Sequence, residues 1–105
     1  TMILTSNGQN IYPEEIEAKL NNMPFVMESL VVERDGKLVA LVCPDYDAMD
    51  SYGVSNHDLP MAMEEVRGNL NKMLGPYEQI TRIQLYPNEF EKTPKRSIKR
   101  YLYDN

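Results

Sequence analysis

The sequence predicts an α+β fold in which helices pack on a small, mainly antiparallel sheet. Two turn dipeptides, Asn7-Gly8 and Asp35-Gly36, each separate short apolar runs, which is typical of β-hairpins. Between residues 58 and 74 the apolar side chains recur at helical spacing. The predicted order is hairpin, helix, strand, strand, long helix, strand and short helix.

The length of 105 residues suits one domain with one modest core. Apolar residues make up 42% of the chain and charged residues 26%, which is the mixture of globular rather than disordered proteins. We therefore expect residues 1–105 to form a single folded domain.

The first hairpin is predicted from the apolar pair at residues 3–4, the turn at Asn7-Gly8 and the apolar pair at residues 11–12. Strands this short are marginal by themselves. We therefore expect this N-terminal hairpin to depend on packing against the rest of the domain.

A helix is predicted over residues 12–20. Pro13 suits the first helical position, where its missing N–H costs nothing, and Glu14 and Glu15 lie at the positive end of the helix dipole. This structural role accounts for the acidic pair without a catalytic one. The predicted apolar stripe consists of Ile16, Leu20 and Met23.

The second hairpin joins residues 26–33 to residues 37–43 through Asp35-Gly36. Residues 38–43 are apolar at every position instead of alternating with polar ones. Such a run predicts a central strand that is covered on both faces.

The polar residues 45–56 predict a surface loop. For the long helix that follows, Asp58 is the predicted N-cap and Gly75-Pro76 the predicted end. Residues 80–86 predict a half-buried strand.

A short terminal helix is predicted close to the C-terminus. Thr93 is its predicted N-cap and Pro94 its first residue. Its predicted apolar contacts are Ile98, Tyr101 and Leu102.

The basic tail, residues 92–105, contains five of the eleven basic residues and one of the sixteen acidic residues. Its formal charge is therefore +4, while residues 1–91 carry −9. Such asymmetry indicates an element that faces an anion, although a solvated helix end gives the same pattern. Charge alone leaves both interpretations open.

Composition argues against several function classes. The net charge of −5 is not that of a nucleic-acid-binding domain, which is usually basic. Cys43 has no second cysteine to pair with, and His57 has no neighbouring ligand for a metal. No apolar run approaches the roughly 20 residues of a membrane span. We expect a cytoplasmic protein, and leave open peripheral membrane association through another domain.

Three segments together resemble the C-terminal domain of adenylate-forming enzymes, the superfamily of acyl-CoA synthetases, luciferases and peptide-synthetase adenylation domains. GQNIYPEEIE (residues 8–17) is similar to the family's opening motif G-x-x-I-x-P-x-E-I-E. LGPYEQI (residues 74–80) is similar to its L-x-x-Y-x-x-I segment, and EKTPKRSIKR (residues 91–100) to its closing motif P-K-T-x-x-G-K-I-x-R. The sequence of the last segment most resembles the corresponding segment of long-chain fatty acid–CoA ligases.

The resemblance implies a small mobile lid of a much larger enzyme, with the chain starting at the hinge. In the family, the N-terminal domain holds ATP, magnesium and most of the acyl pocket. The lid takes one orientation for acyl-adenylate formation and another for thioester formation with CoA. We therefore expect the lid's own N-terminal domain, a fatty acid, ATP and CoA as partners, and no activity from the chain alone.

The resemblance also assigns candidate site residues. Gly8, Gln9 and Asn10 match the loop that lines the channel for the pantetheine arm of CoA. Ser97 falls at the position of the family's catalytic lysine, and Arg96 falls where glycine is common. Since serine carries no charge, Lys95 and Lys99 are the candidate substitutes.

Two other functions fit the same residues. One is a stand-alone α+β interaction module that binds an acidic partner through the basic tail. The other is an adenylating enzyme that loads a carrier protein instead of CoA. The lid sequence does not separate these acceptors.

Overall fold

The computed structural model describes residues 1–104, so Asn105 of the predicted domain lies outside the described residues. The helices and strands follow one another in an order close to the predicted one. They are β1 (Ile3–Leu4), β2 (Asn10–Ile11), α1 (Pro13–Leu20), β3 (Val26–Arg34), β4 (Lys37–Pro44), α2 (Tyr46–Tyr52), α3 (Leu59–Asn71), β5 (Ile80–Leu85) and a 3₁₀-helix (Arg100–Leu102).

The main sheet has the strand order β3-β4-β5, and β1 and β2 form a separate two-stranded ribbon. The pairs β1–β2 and β3–β4 are antiparallel, whereas β4 and β5 run parallel. A parallel pair needs a crossover connection, which the segment containing α2 and α3 supplies. The predicted α+β fold with a mainly antiparallel sheet is confirmed.

The β3–β4 hairpin has the turn that its sequence predicts. Both Asp35 (φ 54°) and Gly36 (φ 77°) have positive φ angles, as a type I′ turn requires. Strand β4 lies between β3 and β5 and has two buried faces, as its unbroken apolar run predicts.

The two faces of β4 belong to two different cores. On one face, Ala40 and Val42 pack with residues of α1 and α3, among them Leu20 and Leu70. On the other face, the packing partner is the C-terminal part of the chain. This second core contains Leu30, Val32, Val39, Leu41, Cys43 and Phe90, with Tyr86, Ile98 and Tyr103 packed against it. The tail is therefore part of the domain's structure.

The predicted surface loop at residues 45–56 is wrong in part, because α2 forms within it. Asp45 caps this helix by accepting a hydrogen bond from the Ala48 N–H at 3.1 Å, and Gly53 ends it in a left-handed conformation (φ 69°). Only Met49 of this helix is buried. Because one buried residue gives no periodic pattern, the sequence does not predict this helix.

The long helix α3 is confirmed, but it ends at Asn71, before the predicted Gly75-Pro76 stop. Asp58 occupies the N-cap position without making a side-chain cap. Its carboxylate instead accepts a hydrogen bond from the hydroxyl of Ser55 at 2.9 Å. Within residues 1–104, no helix has the length and apolar character needed to cross a membrane.

Candidate functional site

The opening loop lies between β1 and β2 and is closed by its own backbone. The N–H of Thr5 donates to the carbonyl of Gln9, and the N–H of Gly8 donates to the carbonyl of Thr5, each at 3.0 Å. Gly8 has a φ of 78°, and Gly8, Gln9 and Asn10 are all exposed. This part of the predicted site is thus a tight turn with an accessible backbone.

Glu17, in the last position of the opening motif, is buried although it is charged; only 7% of it is exposed. One carboxylate oxygen accepts a hydrogen bond from the Val31 N–H at 2.7 Å, and the other is paired with the guanidinium of Arg100. Burial raises the pKa of Glu17, while the hydrogen bonds from Val31 and Arg100 oppose that rise. Glu17 therefore joins α1 to the main sheet and to the basic tail.

The sequence carried a signal for this role. Glu17 lies four residues after Pro13 and three before Leu20, on the buried side of α1. An acidic residue within an apolar stripe needs a buried partner. Arg100 is that partner. Because Arg100 lies 83 residues later in the chain, local sequence patterns do not indicate the pair.

The predicted terminal helix is wrong, because residues 91–99 form a small hairpin. Lys92 and Ile98 are bridged antiparallel. The Thr93 N–H donates to the Ser97 carbonyl, and the Lys99 N–H donates to the Glu91 carbonyl, each at 2.8 Å. Of residues 91–104, only Arg100–Leu102 are helical, as a single 3₁₀ turn.

The loop of this hairpin consists of Pro94, Lys95 and Arg96. The Arg96 N–H donates to the Thr93 carbonyl at 2.8 Å, and Arg96 has a φ of 67°. A turn followed by a left-handed residue is a common three-residue hairpin loop. In this turn Thr93 is at position i and Pro94 at position i+1, and both residues suit these positions as well as they suit a helix start. This explains the wrong prediction.

Ion pairs hold both ends of the hairpin to the domain. At one end, Lys92 Nζ lies 2.5 Å from a carboxylate oxygen of Glu28 on β3 and donates to the Phe90 carbonyl at 3.1 Å. At the other end, Arg100 is paired with Glu17 and lies 3.7 Å from Glu14. Lys92 and Arg100 thus serve the fold, which leaves three cations of the basic tail for another use.

Those three cations are Lys95, Arg96 and Lys99. Lys95 and Arg96 are exposed and Lys99 is half-buried, and none of them forms an ion pair with any residue of the described part of the chain. Ser97 is exposed beside them. The structure therefore places the predicted substitutes, Lys95 and Lys99, on either side of Ser97 in one hairpin.

The two predicted loops meet only indirectly. Among residues 1–104, no hydrogen bond or ion pair joins Gly8, Gln9 or Asn10 to the hairpin loop at residues 94–96. The link between them runs through α1, where Glu17 binds Arg100. The arrangement suits two sites that act separately.

A separate cavity lies on the side of α2 and α3. Its volume is about 590 Å³, and its lining includes Phe25, Tyr52 and Val66 but none of the predicted site residues. Over residues 1–104, no group of three or more His, Cys, Asp or Glu side chains is arranged to hold a metal ion.

Residues 1–104 match the family model described as AMP-binding enzyme C-terminal domain. The chain belongs to this family. Its fold and the order of its motifs confirm, at the level of the family, the resemblance to the C-terminal domain of adenylate-forming enzymes. No curated protein matches the chain.

Solved structures with the same fold include three adenylating enzymes. A Brucella canis acyl-CoA synthetase is 28% identical (TM-score 0.70), with 93% of this chain and 17% of that one covered. A Mycobacterium tuberculosis fatty acyl CoA synthetase is 21% identical (TM-score 0.70), with 98% and 19% covered. The A-PCP didomain of a carboxylic acid reductase from Segniliparus rugosus, in complex with AMP, is 18% identical (TM-score 0.67), with 94% and 15% covered.

This AMP-binding enzyme C-terminal domain spans less than a fifth of the length of each of these three structures. The resemblance to the family's closing motif predicts that Arg96 stands where glycine is common and that Ser97 stands at the position of the family lysine. Arg96 has a left-handed backbone (φ 67°).

Proposed function

We propose that residues 1–105 form the C-terminal lid domain of a long-chain fatty acid–CoA ligase, an acid–thiol ligase that also has a larger N-terminal domain. Alone, the chain is inactive. Together with the N-terminal domain, it acts on ATP, a fatty acid and CoA at the interface between the two domains. One observation carries the proposal: in a domain of this family, the closing motif presents three cations that have no acidic partner among residues 1–104.

The reaction has two steps. In the first, a carboxylate oxygen of the fatty acid attacks the α-phosphate of ATP, which gives acyl-AMP and releases pyrophosphate. In the second, the thiol of CoA attacks the acyl carbonyl carbon, which gives the thioester and releases AMP. The first step brings two anions together, and cations held at that point lower its barrier.

Lys95 and Lys99 are the proposed sources of charge for the first step. Both lie within two residues of Ser97, the position of the family lysine. Ser97 and Lys99 also lie on the same side of the hairpin strand, opposite Ile98, which packs on the second core. Magnesium, which would neutralise phosphate charge, is assigned to the N-terminal domain.

The opening loop suits the second step. Because Gly8 has no side chain and its turn is exposed, a thin pantetheine arm can pass along the backbone of Gly8, Gln9 and Asn10. A Cβ atom at Gly8 would meet no atom of the domain within 4 Å. Any steric effect of a side chain there would therefore fall on whatever passes the loop.

We expect Gly8→Val to slow thioester formation from acyl-AMP by about 10-fold to 100-fold, because the new side chain narrows the proposed channel. Acyl-adenylate formation should stay within a few-fold of the wild type. Rapid-mix measurements of each half-reaction in the enzyme that carries this domain would test this expectation.

Gly53→Val is the matched control, since Gly53 also has a positive φ (69°) and open space around its Cβ position. Both variants carry the same backbone strain, of about 1–2 kcal/mol. Equal loss of thioester formation in both would show that the effect is strain, and would remove the opening loop from the proposed CoA site.

A carrier protein is the second candidate for the acceptor. One of the similar structures is an A-PCP didomain of a carboxylic acid reductase, in which the same fold accompanies a PCP domain. A pantetheine arm is the chemistry that CoA and a carrier protein share, so the Gly8 loop fits both. The family match supports either of these enzymes over the stand-alone interaction module.

The proposal is tested by assaying the enzyme that carries this domain with acetate, octanoate, palmitate and oleate. We expect ATP–pyrophosphate exchange to be fastest with palmitate or oleate, and the product with CoA to be the acyl-CoA thioester. Exchange only with acetate would contradict the long-chain assignment. Transfer to a phosphopantetheinylated carrier protein but not to CoA would contradict the ligase assignment and support the second candidate. We also propose that the enzyme is cytoplasmic.

A further inference from the structure

Arg96 has a backbone conformation that favours glycine. Its φ of 67° lies in the left-handed region, which ordinary L-residues adopt at an energetic cost. The turn fixes this conformation, because the Arg96 N–H donates to the Thr93 carbonyl at 2.8 Å. Glycine would adopt this conformation without strain. An arginine at this position therefore lowers the conformational stability of the folded chain.

Apart from the glycines and Arg96, two residues of the described part of the chain have positive φ angles, and each has a structural reason for it. Asp35 (φ 54°) occupies a type I′ turn, where aspartate is a preferred residue. Phe25 (φ 66°) packs its ring edge-on against Tyr52, with the ring centroids 6.1 Å apart. Arginine is not a preferred turn residue, and the Arg96 side chain is exposed instead of packed.

The charge of Arg96 is also unused by the fold. Lys92 and Arg100, which flank the loop, are paired with Glu28 and Glu17, whereas Arg96 has no acidic partner among residues 1–104. An unneutralised guanidinium on a strained loop contributes nothing visible to stability. A role toward an external anion accounts for both observations.

The hairpin fixes the backbone position from which the Arg96 side chain extends. Its strands are joined by the Thr93–Ser97 and Glu91–Lys99 hydrogen bonds at 2.8 Å, and ion pairs fix both ends. Preorganised cations stabilise developing charge better than mobile ones, because they need not be reordered during the reaction.

We propose that Arg96 is a catalytic residue of the adenylation step and that its guanidinium contacts the phosphate and carboxylate oxygens of the reacting pair. This inference rests on the proposed function and names a residue beyond Lys95 and Lys99. The planar guanidinium donates two parallel N–H bonds to two oxygens, which matches a phosphoryl or carboxylate group. Arg96 adjoins Ser97 and thereby supplies charge beside the position where the family has lysine.

The test is Arg96→Gly, since the inference predicts changes of opposite sign in two measurements. Relief of the left-handed strain should raise the Tm of the chain by about 4 °C. Loss of the guanidinium should lower kcat for ATP–pyrophosphate exchange, in the enzyme that carries this domain, by about 100-fold. A merely structural arginine would not combine greater stability with lower activity.

Three further variants separate charge from backbone. Arg96→Asn, which removes the charge but tolerates a left-handed backbone, should lose as much activity as Arg96→Gly. Arg96→Lys keeps the charge without the planar fork and should retain more activity than either. Asp35→Gly, the control in the other hairpin, should leave exchange unchanged.

Exchange within about threefold of the wild type in Arg96→Gly would overturn the inference, and so would a fall in both Tm and activity, which would make the residue structural. If the wild-type enzyme shows no exchange with any carboxylic acid, the proposed function fails and this inference fails with it. If the wild type exchanges and only Lys95→Ala or Lys99→Ala loses activity, the proposed function stands and the role of Arg96 is rejected.

Discussion

Replacing Arg100 with methionine is expected to lower the free energy of unfolding by about 3–5 kcal/mol near neutral pH. The substitution removes the cation paired with Glu17, whose carboxylate is buried between α1, β3 and the basic tail. A buried carboxylate without its cation is one of the more costly defects that a single substitution can produce. It also frees one end of the hairpin that presents the candidate residues.

The cost of Arg100→Met should depend on pH in a defined direction. Burial raises the pKa of Glu17 in the folded protein, and loss of Arg100 should raise this pKa further. Between the unfolded and the folded pKa, the native state binds more protons than the unfolded state, so stability falls as pH rises through that window. The deficit should therefore be largest above the folded pKa and should shrink as the pH falls toward the unfolded value.

Urea unfolding of both proteins at several pH values from acidic to neutral measures this effect. Arg82→Met is the matched control, because Arg82 is exposed on β5 and forms no ion pair with residues 1–104. We expect that control to change stability by no more than about 0.5 kcal/mol at any pH. Equal effects of the two substitutions would show that the Glu17–Arg100 pair does not hold the tail.

Removing the correct substitute for the family lysine is expected to slow acyl-adenylate formation by about 100-fold to 1,000-fold. Lys95→Ala and Lys99→Ala in the enzyme that carries this domain identify which residue it is. The second half-reaction, started from acyl-AMP and CoA, should remain within a few-fold of the wild type, because the two loops are separate in the structure. ATP–pyrophosphate exchange and single-turnover thioester formation measure the two steps.

Lys72→Ala is the control for loss of a surface charge, since Lys72 is exposed at the end of α3 and belongs to neither the opening nor the closing motif. Adding Ser97→Lys to the impaired variant should restore part of the exchange activity by returning a cation to the family position. If neither lysine variant loses more than a few-fold, the proposal that Lys95 or Lys99 replaces the family lysine is wrong.

Elements that depend on local chemistry were predictable from the sequence. Asp35-Gly36 specifies a tight turn by itself, and the unbroken apolar run at residues 38–43 is typical of a central strand with two buried faces. The periodic side chains of α3 identify it in the same way. In each case the decisive residues lie close together in the chain.

Elements that depend on distant contacts were not predictable. Ile98, Tyr101 and Leu102 have helical spacing, yet Ile98 packs on the second core while Tyr101 and Leu102 remain exposed. The parallel pairing of β5 with β4 also requires knowledge of the crossover through α3.

The candidate site divides in the same way. Its loops were located from motifs, and Gly8 lies in the tight turn that the Asn7-Gly8 dipeptide predicts. The role of this turn toward CoA stays a prediction. Glu17 pairs with Arg100, which lies 83 positions later in the chain, so local sequence does not indicate the pair. The left-handed backbone of Arg96 belongs to a hairpin whose sequence is also typical of a helix start. The roles of Ser97, Lys95 and Lys99 in the reaction stay predictions.

We propose that this domain supplies part of the adenylation site of a larger ligase. The most direct test compares fatty-acid-dependent ATP–pyrophosphate exchange in the enzyme that carries residues 1–105 and in the same enzyme with these residues deleted. We expect deletion to lower exchange by about 100-fold or more, because the cations of the closing motif are lost. Exchange that continues at the full rate without these residues would contradict it.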